Sequence, residues 1–168
     1  STPSLENVTI TDNATSGGGG GGIWCYDESN VNLVNVTISD NTATDGGGIW
    51  CYSYSNPTLT NVTISGNSAS NEGGGISIYQ YSSPILENVT ISDNTASGDG
   101  GGLFCDGNSN PSLVNTIVSD NSGNYGIIVY SGNPSITYSN FYNNENGNFY
   151  NISPGIGCIE QDPLFVNP

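Results

Sequence analysis

The stretch Asn56-Pro57-Thr58-Leu59-Thr60-Asn61-Val62-Thr63-Ile64-Ser65-Gly66-Asn67, followed shortly by Gly73-Gly74-Gly75-Ile76-Ser77-Ile78, decides the fold. Its apolar residues recur every second position, in Val62-Thr63-Ile64 and again in Ile76-Ser77-Ile78. They are mostly β-branched and bounded by Gly, Pro and Asn, which reads as short strands between turns. No segment carries a helical period. Both phrases repeat along the chain. The first recurs at Ser83 to Asn94, and the second at Gly20 to Cys25, Gly46 to Cys51 and Gly100 to Cys105. The leucine of the first phrase has equivalents at Leu5, Leu33, Leu59, Leu86, Leu113, Ile136 and Leu164, separated by 28, 26, 27, 27, 23 and 28 residues. So constant a period marks a solenoid.

Three short strands and three turns fit one period, giving about six to seven coils of roughly 27 residues stacked ~4.8 Å apart as parallel sheets. The phrases Gly-Gly-Gly-Ile-Trp-Cys and Asn-Pro-Thr-Leu-Thr-Asn-Val-Thr-Ile-Ser-Gly-Asn resemble right-handed parallel β-helix repeats of the pectate-lyase-like superfamily. They are also similar to repeats of chlamydial polymorphic outer-membrane proteins, with Gly for Ala in one phrase and Ile-Ser-x-Asn for Phe-x-x-Asn in the other. Ile136 to Asn140 and Asp162 to Val166 resemble the terminal coils of secreted bacterial β-helix proteins. The resemblance implies an all-β, right-handed parallel β-helix occupying residues 1–168 as a single domain. It leaves activity open, because the superfamily includes lyases, hydrolases, adhesins and structural proteins.

In a solenoid, equivalent positions form columns. The inward columns are Ile23, Ile49, Ile76, Leu103, Ile127 and Cys25, Cys51, Ile78, Cys105, Val129, joined by the Val-x-Ile pairs. Cys25 and Cys51 fall on neighbouring coils, so they are either packed thiols or a disulfide. One asparagine column, Asn7, Asn35, Asn61, Asn88 and Asn115, is expected to be a buried structural ladder; a second begins at Asn13. Six asparagines head Asn-x-Ser/Thr sequons, of which Asn13 and Asn151 are the better glycosylation candidates. Asp12, Asp40, Asp93 and Asp120 share a column broken by Gly66, either a solvated acidic edge or a Ca²⁺ site built from hard oxygen ligands. Trp24, Trp50 and Phe104, interrupted by Ser77, run beside Tyr26, Tyr52, Tyr79 and Tyr130 as an outward aromatic stripe suited to glycan stacking or a partner chain. Thr9, Thr37, Thr63 and Thr90 form an outward threonine rank, either simply a well-suited exposed strand face or a surface similar to those of ice-binding solenoids.

Composition narrows the chemistry. The chain has 15 Asp plus Glu and no Lys, Arg or His, a net charge of −15. Phosphate neutralisation is impossible, so nucleic acid is an unsuitable partner. A Ser–His–Asp triad, a lysine Schiff base and a histidine-bound metal are equally excluded. No run approaches 18 apolar residues, so no helix is expected to insert in a membrane. The chain opens at Ser1 inside a repeat and reads as a mature chain or a segment of a larger secreted protein, extracellular or at a cell surface. The favoured function is structural and non-catalytic: a stalk, or a subunit stacking head-to-tail into a filament, with self-association or neighbouring coils as its partner. The alternative is a glycan- or ice-binding adhesin module. A polysaccharide-degrading enzyme is the least favoured, because the acidic charge repels polyuronates and no basic residue is present to abstract a proton.

Overall fold

A computed structural model describes residues 2–165, which form a parallel β-solenoid with no helix among them. Each coil contributes one strand to each of three long sheets. The first, here called the leucine sheet, contains Ser4–Glu6, Asn32–Val34, Thr58–Thr60, Ile85–Glu87, Ser112–Val114 and Ser135–Thr137. The threonine sheet contains Thr9–Thr11, Thr37–Ser39, Thr63–Ser65, Thr90–Ser92, Ile117–Ser119 and Asn140–Tyr142. The aromatic sheet contains Ile23–Tyr26, Ile49–Tyr52, Ile76–Ile78, Leu103–Cys105, Ile127–Val129 and Phe149–Tyr150. Pairing is in register, as in Leu5↔Leu33 and Ile38↔Ile64. The six rungs are joined by five full turns, slightly fewer coils than the spacing predicts. Leu164 is not a seventh rung: it lies outside any strand and is 76% exposed.

A fourth, shorter sheet joins Thr42–Ala43, Ser68–Ala69, Thr95–Asp99 and Ser122–Asn124. Its Ala43–Ala69–Ala96 column packs where the Gly-rich strands approach most closely. The core is filled by Leu33, Leu59, Leu86, Ile38, Ile64, Ile91 and the inward Ile and Cys columns. Burying each such aliphatic side chain stabilises the fold by about 1.5–3 kcal/mol.

The corners explain two polar columns. Asn7, Asn35, Asn61, Asn88 and Asn115 all have φ between 51 and 56°, the left-handed region that asparagine tolerates well. They are exposed, which corrects the expectation of a buried ladder there, although Asn35 and Asn61 still donate to the preceding amide at 3.2 Å. The buried ladder is the second column. Asn41, Asn67, Asn94 and Asn121 each use Nδ2 and the backbone N–H to donate to the next Oδ1, at 2.9–3.2 Å. Each Nδ2 also reaches an isoleucine carbonyl of the preceding rung at 3.0 Å. A parallel serine ladder runs through Ser55, Ser82 and Ser109.

The chain after the last rung packs along the sheet ends. Residues 151–160 leave the repeat and hydrogen-bond to Ile136, Tyr138, Ser139 and Phe141, filling pairing positions on the leucine and threonine sheets. Ile152 and Cys158 pack against the core there, and Asn148 joins the end of the buried ladder to Glu160.

Candidate functional site

The outer face of the aromatic sheet carries the most unusual surface of the molecule. Strand alternation turns Trp24, Trp50, Ser77, Phe104, Ile128 and Tyr150 outward in one in-register column. A second column, at the ends of the strands, holds Tyr26, Tyr52, Tyr79 and Tyr130. Trp24 stacks on Trp50 with centroids 5.5 Å apart and planes 18° apart, and Tyr26 stacks on Tyr52 at 5.8 Å and 12°. Trp24 and Tyr26 are about half exposed, at 53% and 51%.

Phe104 departs from the expected stripe. It points outward but is fully buried, wedged between Tyr79 and Tyr130 at 5.3 Å from each ring. Trp50 is half-buried, and both its indole N–H and the hydroxyl of buried Ser77 lack a hydrogen-bond partner. The stripe is therefore two regions: an open stacked platform at Trp24 and Tyr26, and a packed centre leading to a pocket at Tyr130.

Carboxylates line one side of this face, at the turns before the Gly runs that start at Gly46, Gly73 and Gly100. Asp45 accepts from Asn71 at 2.8 Å, and Asp99 accepts from Asn124 at 2.9 Å and from the Tyr130 hydroxyl. Glu72 accepts from the Tyr79 hydroxyl. Burial raises the Glu72 carboxyl above the usual range, and burial with the Glu72 contact pushes the Tyr79 phenol up strongly. The Asp99 hydrogen bond pushes the Tyr130 phenol up to about 12. Each of these acids is thus a fixed acceptor for a neighbouring side chain.

The remaining predicted residues fall elsewhere. Asp12, Asp40, Asp93 and Asp120 occupy left-handed corner positions with φ of 57–58°, and Gly66 holds the same conformation at 66°. Gly66 therefore continues that column; the shared requirement is backbone geometry. Among the described residues no three His, Cys, Asp or Glu side chains come together as a metal site requires. Cys25 and Cys51 are in-register neighbours and free thiols. The neighbouring Cys25 thiol and burial hold Cys51 well above the ordinary thiol range, while burial lifts Cys105 to about 12. Asn13 is exposed, but its Nδ2, the atom a glycan would take, donates to Asn41 Oδ1 and the Thr11 carbonyl. Asn151 is exposed at the rim of a 620 Å³ depression with Gly132, Asn133 and Ser153, its Nδ2 bound to the Val129 carbonyl at 2.9 Å. The threonine rank holds for four rungs and is then broken by Ile117 and Asn140.

Sequence reasoning missed several side chains on this surface. Tyr54 and Tyr81 stack at 5.2 Å and 13° on the adjoining turns, with φ of 60° and 61°. Tyr125 and Tyr150 meet at 5.5 Å, and Glu72 sits under Tyr79. Tyr125 was the detectable one, because it stands where Gly46, Gly73 and Gly100 stand in earlier coils.

Residues 1–159 match the family model described as "Right handed beta helix region". The chain belongs to the right-handed β-helix family. The match spans all six rungs, so the handedness expected from the repeat holds for the whole solenoid. A search of curated proteins found no match.

Proposed function

We propose that this right-handed β-helix is a non-catalytic extracellular scaffold that engages neutral glycans along its aromatic face. The observation that carries the reading is the Trp24–Trp50 and Tyr26–Tyr52 double stack, half exposed at its open end. Aromatic rings offer an apolar surface to the C–H faces of pyranose rings, while flanking carboxylates accept sugar hydroxyls. A charge of −15 with no cation disfavours polyuronates and leaves uncharged sugars as the better partners. The non-catalytic part is supported by Asp45, Glu72 and Asp99, each already held by a side-chain donor. A rigid scaffold suits the ladder-bound interior, and the segment 151–160 occupies pairing positions that head-to-tail stacking would use, which favours a stalk over stacked subunits.

Affinity electrophoresis through gels containing soluble neutral polysaccharides tests this. Retardation by at least one of them is expected, with ~10-fold weaker binding in the Trp24→Ala/Tyr26→Ala double variant and an unchanged far-ultraviolet spectrum. Unaltered mobility across xylan, β-glucan, mannan and galactan gels would overturn the glycan reading. Release of reducing ends from any of them, abolished by Glu72→Gln, would overturn the non-catalytic one.

A further inference from the structure

At the far end of the aromatic sheet lies a pocket of about 280 Å³ lined by Asp99, Asn124, Tyr125, Ile128, Tyr130 and Tyr150. Its construction follows from one short strand. Ile127–Val129 is flanked by Tyr125 on one side and Tyr130 on the other, with Ile128 buried between them as an apolar floor. Tyr150, in register with Ile128 on the next rung, contacts both flanking rings. It is tilted 45° to Tyr125 at 5.5 Å and edge-on to Tyr130 at 6.0 Å. Asp99 comes from the preceding rung and is fixed by Asn124 and Tyr130 at the pocket's edge.

Tyr125 occupies this place against its backbone preference. Gly46, Gly73 and Gly100 hold the equivalent position with φ of 60–66°, and the backbone N–H of Gly100 bonds to the carbonyl of Asn124 as that of Gly73 bonds to Asp99. Tyr125 has φ of 63°. A left-handed conformation costs an L-residue with a bulky side chain roughly 1–2 kcal/mol, which glycine avoids. Its side chain there lines the pocket and meets the Tyr150 ring. Three rings around an apolar floor, with one carboxylate and no Lys, Arg or His anywhere in the chain to occupy it, match the requirements of a cation cage.

We infer that Tyr125, Tyr130, Tyr150 and Asp99 form a binding site for an alkylated ammonium group of the choline type. Ring faces attract the diffuse positive charge, the Ile128 floor accepts the methyl groups, and Asp99 supplies the counter-charge. The site uses none of Trp24, Tyr26, Trp50 or Tyr52, so it stands or falls independently of glycan binding.

Titration calorimetry at low ionic strength with choline chloride, phosphocholine and 3,3-dimethyl-1-butanol, the uncharged isostere of choline, tests the assignment. Choline is expected to bind saturably and ~10-fold or more tightly than the isostere. Tyr150→Ala should weaken choline ~10-fold, and Asp99→Asn should weaken choline while leaving the isostere unchanged. Phosphocholine binding as tightly as choline would assign the site to conjugated headgroups; choline alone would assign it to the free cation. No saturable choline heat up to ~50 mM, equal binding of the isostere, or full choline affinity in a folded Tyr150→Ala protein would overturn it.

Discussion

Asparagine plays two unrelated roles in this chain, and only position distinguishes them. At Asn61 it supplies a left-handed corner on the surface; at Asn94 it supplies four hydrogen bonds in the interior. Asn94 Oδ1 accepts from the backbone and side chain of Asn67, while its Nδ2 donates to the Ile64 carbonyl and to Asn121 Oδ1. Removing it leaves buried donors and acceptors unpaired on both neighbouring rungs, each costing about 1–3 kcal/mol. Asn94→Ala should therefore lower unfolding free energy by roughly 3–5 kcal/mol. Asn61→Gly should change it by less than ~1 kcal/mol, because glycine meets the same backbone demand. Urea melts of the two variants measure both; equal losses would contradict the division of roles. The sequence showed both columns but not which was buried, since Asn-Val-Thr and Ser-x-Asn look equally suited to a ladder. The difference lies in whether the asparagine itself forms the corner, as Asn61 does, or follows it, as Asn94 follows Asp93, which only the folded turn sets.

At the level of elements, the strands of the three long sheets were legible because each carries a two-residue alternation with large apolar side chains. The fourth sheet was not: Thr42–Ala43 and Ser68–Ala69 are two residues long and bury only a methyl group. The aromatic stripe was legible as a column, yet the burial of Phe104 was not, because the rings that cover it belong to neighbouring rungs. The Gly runs mark how close the short sheet and the aromatic sheet come. A Cβ on Gly74 would lie 2.5 Å from the Gly101 carbonyl oxygen and 2.6 Å from the backbone of Thr95. Both obstacles are backbone atoms held in parallel ladders, so neither can yield alone. Gly74→Ala should destabilise by about 2 kcal/mol or more through overpacking, seen as a lowered thermal midpoint and early loss of strand signal. A midpoint within ~1 °C of the parent would show that the two sheets can separate without cost.

For the molecule as a whole, the lack of any basic side chain makes electrostatics purely repulsive. Fifteen carboxylates have no Lys, Arg or His to pair with, so packing and the amide and hydroxyl ladders supply the cohesion. Counter-ions should then stabilise the fold: raising NaCl from ~10 mM to ~0.5 M shortens the screening length from ~30 Å to a few ångströms and should lift the melting temperature by about 5 °C. Protonation acts in the same direction through a nameable group. Burial raises the Glu72 carboxyl in the folded state above its ordinary value of 4.5, so the folded chain binds that proton more tightly than the unfolded one. The resulting stabilisation is fully present below 4.5 and is lost as pH rises through the raised folded value. Thermal melts should accordingly move upward as pH falls from 7 toward 5. Glu72→Gln should raise the midpoint at pH 7 and flatten part of that slope, since the amide oxygen can still accept from Tyr79 without carrying charge. A melting temperature that falls with added salt, or a Glu72→Gln slope identical to the parent's, would mean that self-repulsion is not what limits this solenoid.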